Sequence, residues 1–186
     1  TPVRSFDVQG GRITALQTPA GPVHADHMVL ATGWESARQA RALGLRLPVY
    51  PLKGYSITVD VAATPQAAPG VSVTDTTRKV VFARIGERLR VAGMVEIVGA
   101  DTAVHPSRIA SLRQSTQEVF PGLPLPEASL LHPWSGMRPA TPAGLPITGR
   151  LPGGPGNLWV QTGHGALGLT LAFGSAMRLA RMLEAA

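Results

Sequence analysis

The chain has 186 residues, 44% hydrophobic and 15% charged, with no cysteine and a formal net charge of +6. That length and apolar fraction supply a buried core for one domain or two small ones, and the missing cysteine excludes disulfides, thiolate chemistry and cysteine-held metals. The basic residues are dispersed, without runs or interleaved aromatics, which argues against nucleic acid as a partner.

Taken in chain order, "GRITALQTPAGPVHADHMVLATG" predicts short strands around a turn at Thr18-Pro19-Ala20-Gly21, ending in an apolar strand over 28–31 and a glycine, Gly33, that releases the chain. A helix over about 35–43 follows, with Gly44 placed to cap it. "VYPLKGYSITVDV" alternates apolar residues at Tyr55, Ile57 and Val59, and "KVVFARIGERLRVAGMVEIV" is two β-rich runs about Gly86-Glu87, so the middle of the chain is antiparallel sheet. Pro106 opens a helix with Ile109, Leu112, Thr116 and Val119 at helical spacing, and Pro121 ends it. "LLHPWSGMRPAT" is extended, because Pro133 and Pro139 push the residues before them out of the α region. "NLWVQ" is a further strand, and Leu169, Ala172, Phe173, Ala176, Ala180 and Leu183 make the apolar stripe of a closing helix.

The longest apolar run, 166–176, is broken by Gly168, Thr170, Gly174 and Ser175; it falls short of the roughly 20 residues that span a bilayer. His24, His27, His105 and His132 have no metal-ligating spacing, so no metal is expected. The opening Thr-Pro-Val-Arg-Ser has neither an initiator Met nor a signal peptide's apolar core and reads as the middle of a longer protein.

Between the last strand and helix, Gly163, Gly165 and Gly168 spell G-x-G-x-x-G. A glycine turn lets backbone amides approach a ligand, and the following helix N-terminus favours anionic oxygens. A dinucleotide fingerprint also needs an acidic residue about 20 positions on, within a βαβ unit. Only 18 residues follow Gly168 and they form one helix, so this is no self-contained Rossmann site. The same spacing equally permits tight helix-to-sheet packing.

The neighbouring segments carry more information. "GMRPATPAGLPITG" followed by "NLWVQTGHGALGLTLAFGSA" resembles the C-terminal flavin-contacting region of the D-amino-acid oxidase superfamily of FAD-dependent oxidoreductases, and within it the bacterial D-amino-acid dehydrogenases. "VLATG", "PVYPLKGYS" and "RLRVAGMVEIVG" occur in the family's order, and the resemblance runs from about residue 11 to the C-terminus. It departs at Ala143, where the family often has an acidic residue. It also lacks the family's N-terminal βαβ unit, whose own glycine loop holds the FAD pyrophosphate; the resemblance places that unit before Thr1 or on a second chain.

The fold so implied is α+β / α/β: an antiparallel-sheet substrate domain with a helix cover over 45–138, flanked by the β-meander and "ATG" strand of a Rossmann-like FAD-binding domain (1–44) and by that domain's C-terminal strand, glycine loop and helix (139–186). The activity implied is oxidative deamination of D-amino acids by hydride transfer to FAD. Such a site must fix the carboxylate while the α-hydrogen faces the flavin, and an Arg fork suits that task. Arg138 matches the family's carboxylate-binding Arg; its alternative is a surface ion pair. Tyr55 would place its hydroxyl or ring beside substrate, or be a half-buried strand aromatic, and Lys53 would stabilise reduced flavin or be a solvated edge residue. Backbone of Gly163, His164, Gly165, Leu167, Gly168, Leu169 and Thr170 would meet the flavin's pyrimidine oxygen, and Gly33 would approach the nucleotide half of FAD or simply end a strand.

No general base stands out, and Glu96 reads as a solvated strand residue; hydride transfer from a neutral amine needs no strong base. The partners implied are a D-amino acid, a quinone or other electron acceptor, the N-terminal FAD-binding portion, and a peripheral contact with the inner membrane from the cytoplasm. The alternatives are a non-catalytic binding or assembly module and an amine oxidase acting on glycine, sarcosine or proline.

Overall fold

The computed structural model describes residues 1–127 and 131–186. In chain order its strands are β1 (Ser5–Gln9), β2 (Arg12–Thr18), β3 (Gly21–Val23), β4 (Met28–Leu30), β5 (Tyr50–Asp60), β6 (Val73–Asp75), β7 (Val80–Ile85), β8 (Arg88–Glu96), β9 (Trp134–Ala140), β10 (Ile147–Arg150) and β11 (Leu158–Thr162). The α-helices are α1 (Ser36–Ala42), α2 (Pro106–Val119) and α3 (Gly168–Glu184). The chain divides into two units, one of Thr1–Pro51 with Arg138–Ala186 and the other of Leu52–Met137.

The Leu52–Met137 unit is built on a sheet of order β6-β7-β8-β5-β9, in which β5/β8, β6/β7 and β7/β8 are antiparallel. The alternation legible in β5 sets its register: Ile57 pairs with Val91 and Val59 with Leu89, and Phe82 joins from β7 against Val91. These side chains are at most 1% exposed. Helix α2 brings Ile109, Leu112 and Thr116 into the same core, the spacing expected between Pro106 and Pro121. Thr116 satisfies its hydroxyl inside the helix by donating to Leu112 O at 2.7 Å. The expected extended stretch, 130–141, is realised as β9 over Trp134–Ala140; Leu130, the first residue of that stretch, lies outside the described residues.

The other unit holds two three-stranded sheets, β1-β2-β3 and β10-β11-β4. β1, β2 and β3 form an antiparallel meander, and β4 lies parallel to β11. Asn157, 1% exposed, clasps the two sheets. Its Oδ1 accepts from Ile13 N at 2.8 Å and its Nδ2 donates to Ile13 O at 2.9 Å, imitating a strand across 144 residues of sequence. Ile13, Met28, Leu30, Ala40, Leu158 and Val160 form the core beneath.

Helix α3 differs from its expected orientation. Leu179 is its buried residue, with Leu171, Ser175 and Met182 half-buried along the same side, while Leu169 and Phe173 are 90% and 83% exposed. Apolar residues occur on both sides of this helix, so periodicity alone does not choose the inward one.

Candidate functional site

Parallel pairing of Leu158 with Met28 and of Val160 with Leu30 brings the carboxyl ends of β4 and β11 to one sheet edge. In α/β sheets that edge is where ligands bind. The chain leaves both strands through glycines held in the left-handed region, Gly33 at φ +59° and Gly163 at φ +82°. Thr162, 1% exposed, ties the exits together by donating its hydroxyl to Gly33 O at 2.7 Å. Gly163 also has no room for a side chain, since a Cβ there would stand 2.5 Å from Thr141 Cγ2. Any other residue would be strained and would displace Thr141.

A short 3₁₀ turn, Gly165–Leu167, runs straight into α3. The first turn of α3 carries no acidic residue, so its amides and dipole face their surroundings without a competing carboxylate. Beside the turn lies an open cleft of about 310 Å³, lined by Gly33, Pro139, Gln161, His164, Gly165, Gly168 and Ser175 among others. Of the residues singled out in the sequence, Gly33, His164, Gly165 and Gly168 thus meet at one cleft, with the buried Gly163 between them in the chain. Leu167 and Leu169 are 58% and 90% exposed, and Thr170 lines a neighbouring cleft with Thr148 and Arg178.

Arg138 lies half-buried on β9, next in sequence to the cleft residue Pro139. Burial pushes its guanidinium below the ordinary arginine pKa. A guanidinium remains charged even so, and partial desolvation strengthens its attraction for an anion.

Tyr55 belongs to the Leu52–Met137 unit, where it is 1% exposed and packs in the core. Its hydroxyl donates to Glu96 at 2.8 Å, and Glu96 also pairs with Arg108. Burial, and then the hydrogen bond to Glu96, raises the tyrosine pKa. The Tyr55 hydrogen bond and Arg108 hold the Glu96 carboxyl low against an opposing effect of burial. Glu96 is therefore half-buried and engaged rather than solvated, and Lys53 is not the solvated edge residue its position suggests. Lys53 is fully buried, with Nζ 3.0 Å from Asp101 and 5.2 Å from the centre of the Tyr55 ring. Burial works to lower the Lys53 pKa, but Asp101 and Tyr55 outweigh it and the net direction is upward. Asp101 is held well below the usual carboxylate range by His105, the Ala103 amide and Lys53.

Gln161, Thr162 and Ser175 were not apparent from the sequence as site residues. The one signal was local: Ser175 interrupts an apolar helix run, and Thr162 and Gln161 precede the glycines directly. Among the described residues, no group of three or more His, Asp or Glu could hold a metal ion, and no helix is long and apolar enough to cross a membrane.

The profile of a family described as "DAO: FAD dependent oxidoreductase" matches residues 1–182. The chain is 50% identical over 177 residues to D-amino acid dehydrogenase 2 of Pseudomonas aeruginosa, covering 95% of this chain and 41% of that protein. It is 43% identical over 185 residues to a D-amino acid dehydrogenase of Cereibacter sphaeroides, covering 99% and 41%. Among solved structures it is similar to glycine oxidase from Geobacillus kaustophilus, with a TM-score of 0.80 at 25% identity, over 98% of this chain and 48% of that one. The chain thus spans less than half the length of each.

Proposed function

The chain belongs to the FAD dependent oxidoreductase family, and from that premise we propose that it supplies the substrate sheet and the flavin-holding glycine loop of a D-amino-acid dehydrogenase. The observation that carries this reading is the meeting of Gly33 and Gly163 at the carboxyl edge of β4 and β11, tied through Thr162. The residues fit the cofactor: two positive-φ glycines present bare backbone, and an acid-free helix start supplies donors where a reduced flavin gathers negative charge.

Bound FAD would accept the hydride removed from the amino acid's α-carbon. The chain's own residues would bind and orient. Arg138 takes the α-carboxylate in a two-pronged ion pair, which fixes the α-carbon as well as supplying charge. Backbone of Gly163, His164, Gly165 and Gly168, and of Leu167, Leu169 and Thr170 at the helix start, would line the ring's pyrimidine edge, whose oxygen would accept from the amides there that have no partner within the turn; the Leu167 amide already donates to His164 O. Gly33 gives the nucleotide half of FAD close approach to backbone. Tyr55, with its hydroxyl committed to Glu96, orders β5 against β8 on the substrate side.

The remaining FAD-binding portion, with its pyrophosphate loop, comes from the part of the relatives' length not matched here or from a second chain. Electrons pass to a quinone or another acceptor, in the cytoplasm or at a membrane surface. Identity of 50% to a D-amino acid dehydrogenase against 25% to glycine oxidase ranks glycine second as substrate. Anaerobic mixing of the flavin-loaded protein with D-alanine, L-alanine and glycine tests the reading. Flavin bleaching by D-alanine but not L-alanine is expected; bleaching by none removes the oxidoreductase, and bleaching by glycine alone moves the substrate.

A further inference from the structure

Among the described residues, one buried side-chain polar atom has no hydrogen-bond partner: Gln161 Oε1. A buried acceptor is costly to leave unpaired. The other end of this amide is occupied, because Gln161 Nε2 donates to Ser175 Oγ at 3.2 Å. His164 Nε2 meets the same oxygen at 3.1 Å. Ser175 has a single proton, and it points back into α3, to Leu171 O at 2.8 Å with Ala172 O at 3.2 Å. The serine oxygen therefore accepts from both neighbours with its two lone pairs.

Two consequences follow from that proton count. His164 carries its ring proton on Nε2, which leaves Nδ1 an acceptor in the neutral ring. Gln161 is also fixed in its orientation, since turning the amide would require Ser175 to donate to it and abandon the helix carbonyl. Gln161, His164 and Ser175 all line the cleft beside the glycine loop. Thr162, on the same cleft, has given its proton to Gly33 O. With one Gln161 Nε2 proton, the His164 Nε2 proton and the Ser175 and Thr162 protons already given within the protein, Gln161 Oε1 is the buried side-chain atom there left wholly unmatched, beside backbone amides that donate. A ligand edge that alternates acceptor, donor, acceptor complements such a wall.

We propose that Gln161 Oε1 accepts a hydrogen bond from an N–H of the cleft's occupant, with Ser175 as the positioning residue that orients both Gln161 and His164. The proposal rests on the flavin assignment above, in which that N–H is the imide of the flavin's pyrimidine ring, flanked by its two carbonyls. An ordered water offers a similar donor, and the test separates the two.

The first arm needs no flavin: ¹⁵N NMR of the His164 imidazole reports the tautomer directly. The Nε2–H form is expected to dominate and to lose that dominance in Ser175→Ala; a dominant Nδ1–H form in the wild type overturns the hydrogen-bond polarity and the proposal with it. The second arm, in the protein joined with or co-expressed with the remaining FAD-binding portion, compares binding of FAD and N3-methyl-FAD to the wild type and to Gln161→Met, with circular dichroism and melting to verify the fold. The wild type should prefer FAD by about tenfold, the worth of one hydrogen bond to a buried acceptor, and Gln161→Met should lose that preference. A preference that survives Gln161→Met, or equal weakening toward both flavins, overturns the proposal and leaves water as the occupant. A wild type that binds neither flavin brings down the functional reading itself, together with the imide assignment.

Discussion

Helices α2 and α3 both read as amphipathic, yet they cover their units differently. α2 turns Ile109, Leu112 and Thr116 onto the five-stranded sheet, where each is at most 3% exposed. α3 buries Leu179 and leaves Leu169, Phe173 and Met177 at 90%, 83% and 58% exposed. The Leu52–Met137 unit is one continuous segment in which β6, β7 and β8 pair in chain order and β5 joins the sheet at β8, so much of its core follows from local pattern. The other is assembled from two distant segments around a three-residue parallel strand, β4, and parallel strands are ordinarily covered on both faces. The first unit buries its large core, while the second holds the two positive-φ strand-end glycines and the unpaired Gln161 Oε1, features that a ligand completes.

Substitutions in each unit sharpen or break that division. The largest effect is expected at Arg138: Arg138→Met in the flavin-loaded protein should lower kcat/KM for D-amino acids about 10²- to 10³-fold, mostly through KM, from loss of a desolvated charge pair. Steady-state kinetics that do not change would remove Arg138 from carboxylate binding. Next is Leu112→Ala, which empties a fully buried position and should cost about 2–5 kcal/mol in denaturant unfolding. A small loss there would mean that α2 does not seal the core.

A smaller effect, with a pH signature, is expected at Asp101. Its carboxyl is held low in the folded state, so its contribution is present above the ordinary carboxylate value of about 3.9 and fades as pH falls below it. Asp101→Asn should therefore lower the melting temperature at neutral pH, with the gap to the wild type closing below about pH 4; a gap independent of pH would point to packing rather than charge. The smallest effect belongs to Phe173→Ser on the exposed side of α3, within about 0.5 kcal/mol for the chain by itself. A large loss would show that this side is covered.

Legibility in the sequence follows the same division. The alternation of β5, the Gly86-Glu87 hairpin and the Pro106 start of α2 are local signals, and they place most of the Leu52–Met137 unit. The glycine loop was legible too, because positive-φ turns select their own residue type. What sequence could not supply were pairings set by tertiary contact: Lys53 with Asp101 across 48 residues, Asn157 with Ile13 across 144, and the inward side of α3. Gln161 and Ser175 belong with these, since a polar residue in a strand and another in a helix announce nothing until packing brings them together.

The central claim is that the loop joining β11 to α3 holds a flavin, and Gly163 is the position where a side chain is least tolerated. Titrating FAD into the protein joined with or co-expressed with the remaining FAD-binding portion, and into the same assembly carrying Gly163→Ala, followed by quenching of flavin fluorescence, tests it directly. The account predicts a bound, quenched flavin in the wild type and at least about tenfold weaker binding in Gly163→Ala, from roughly 1–3 kcal/mol of strain at φ +82°. Equal affinity in the two proteins, with both folded, would contradict it.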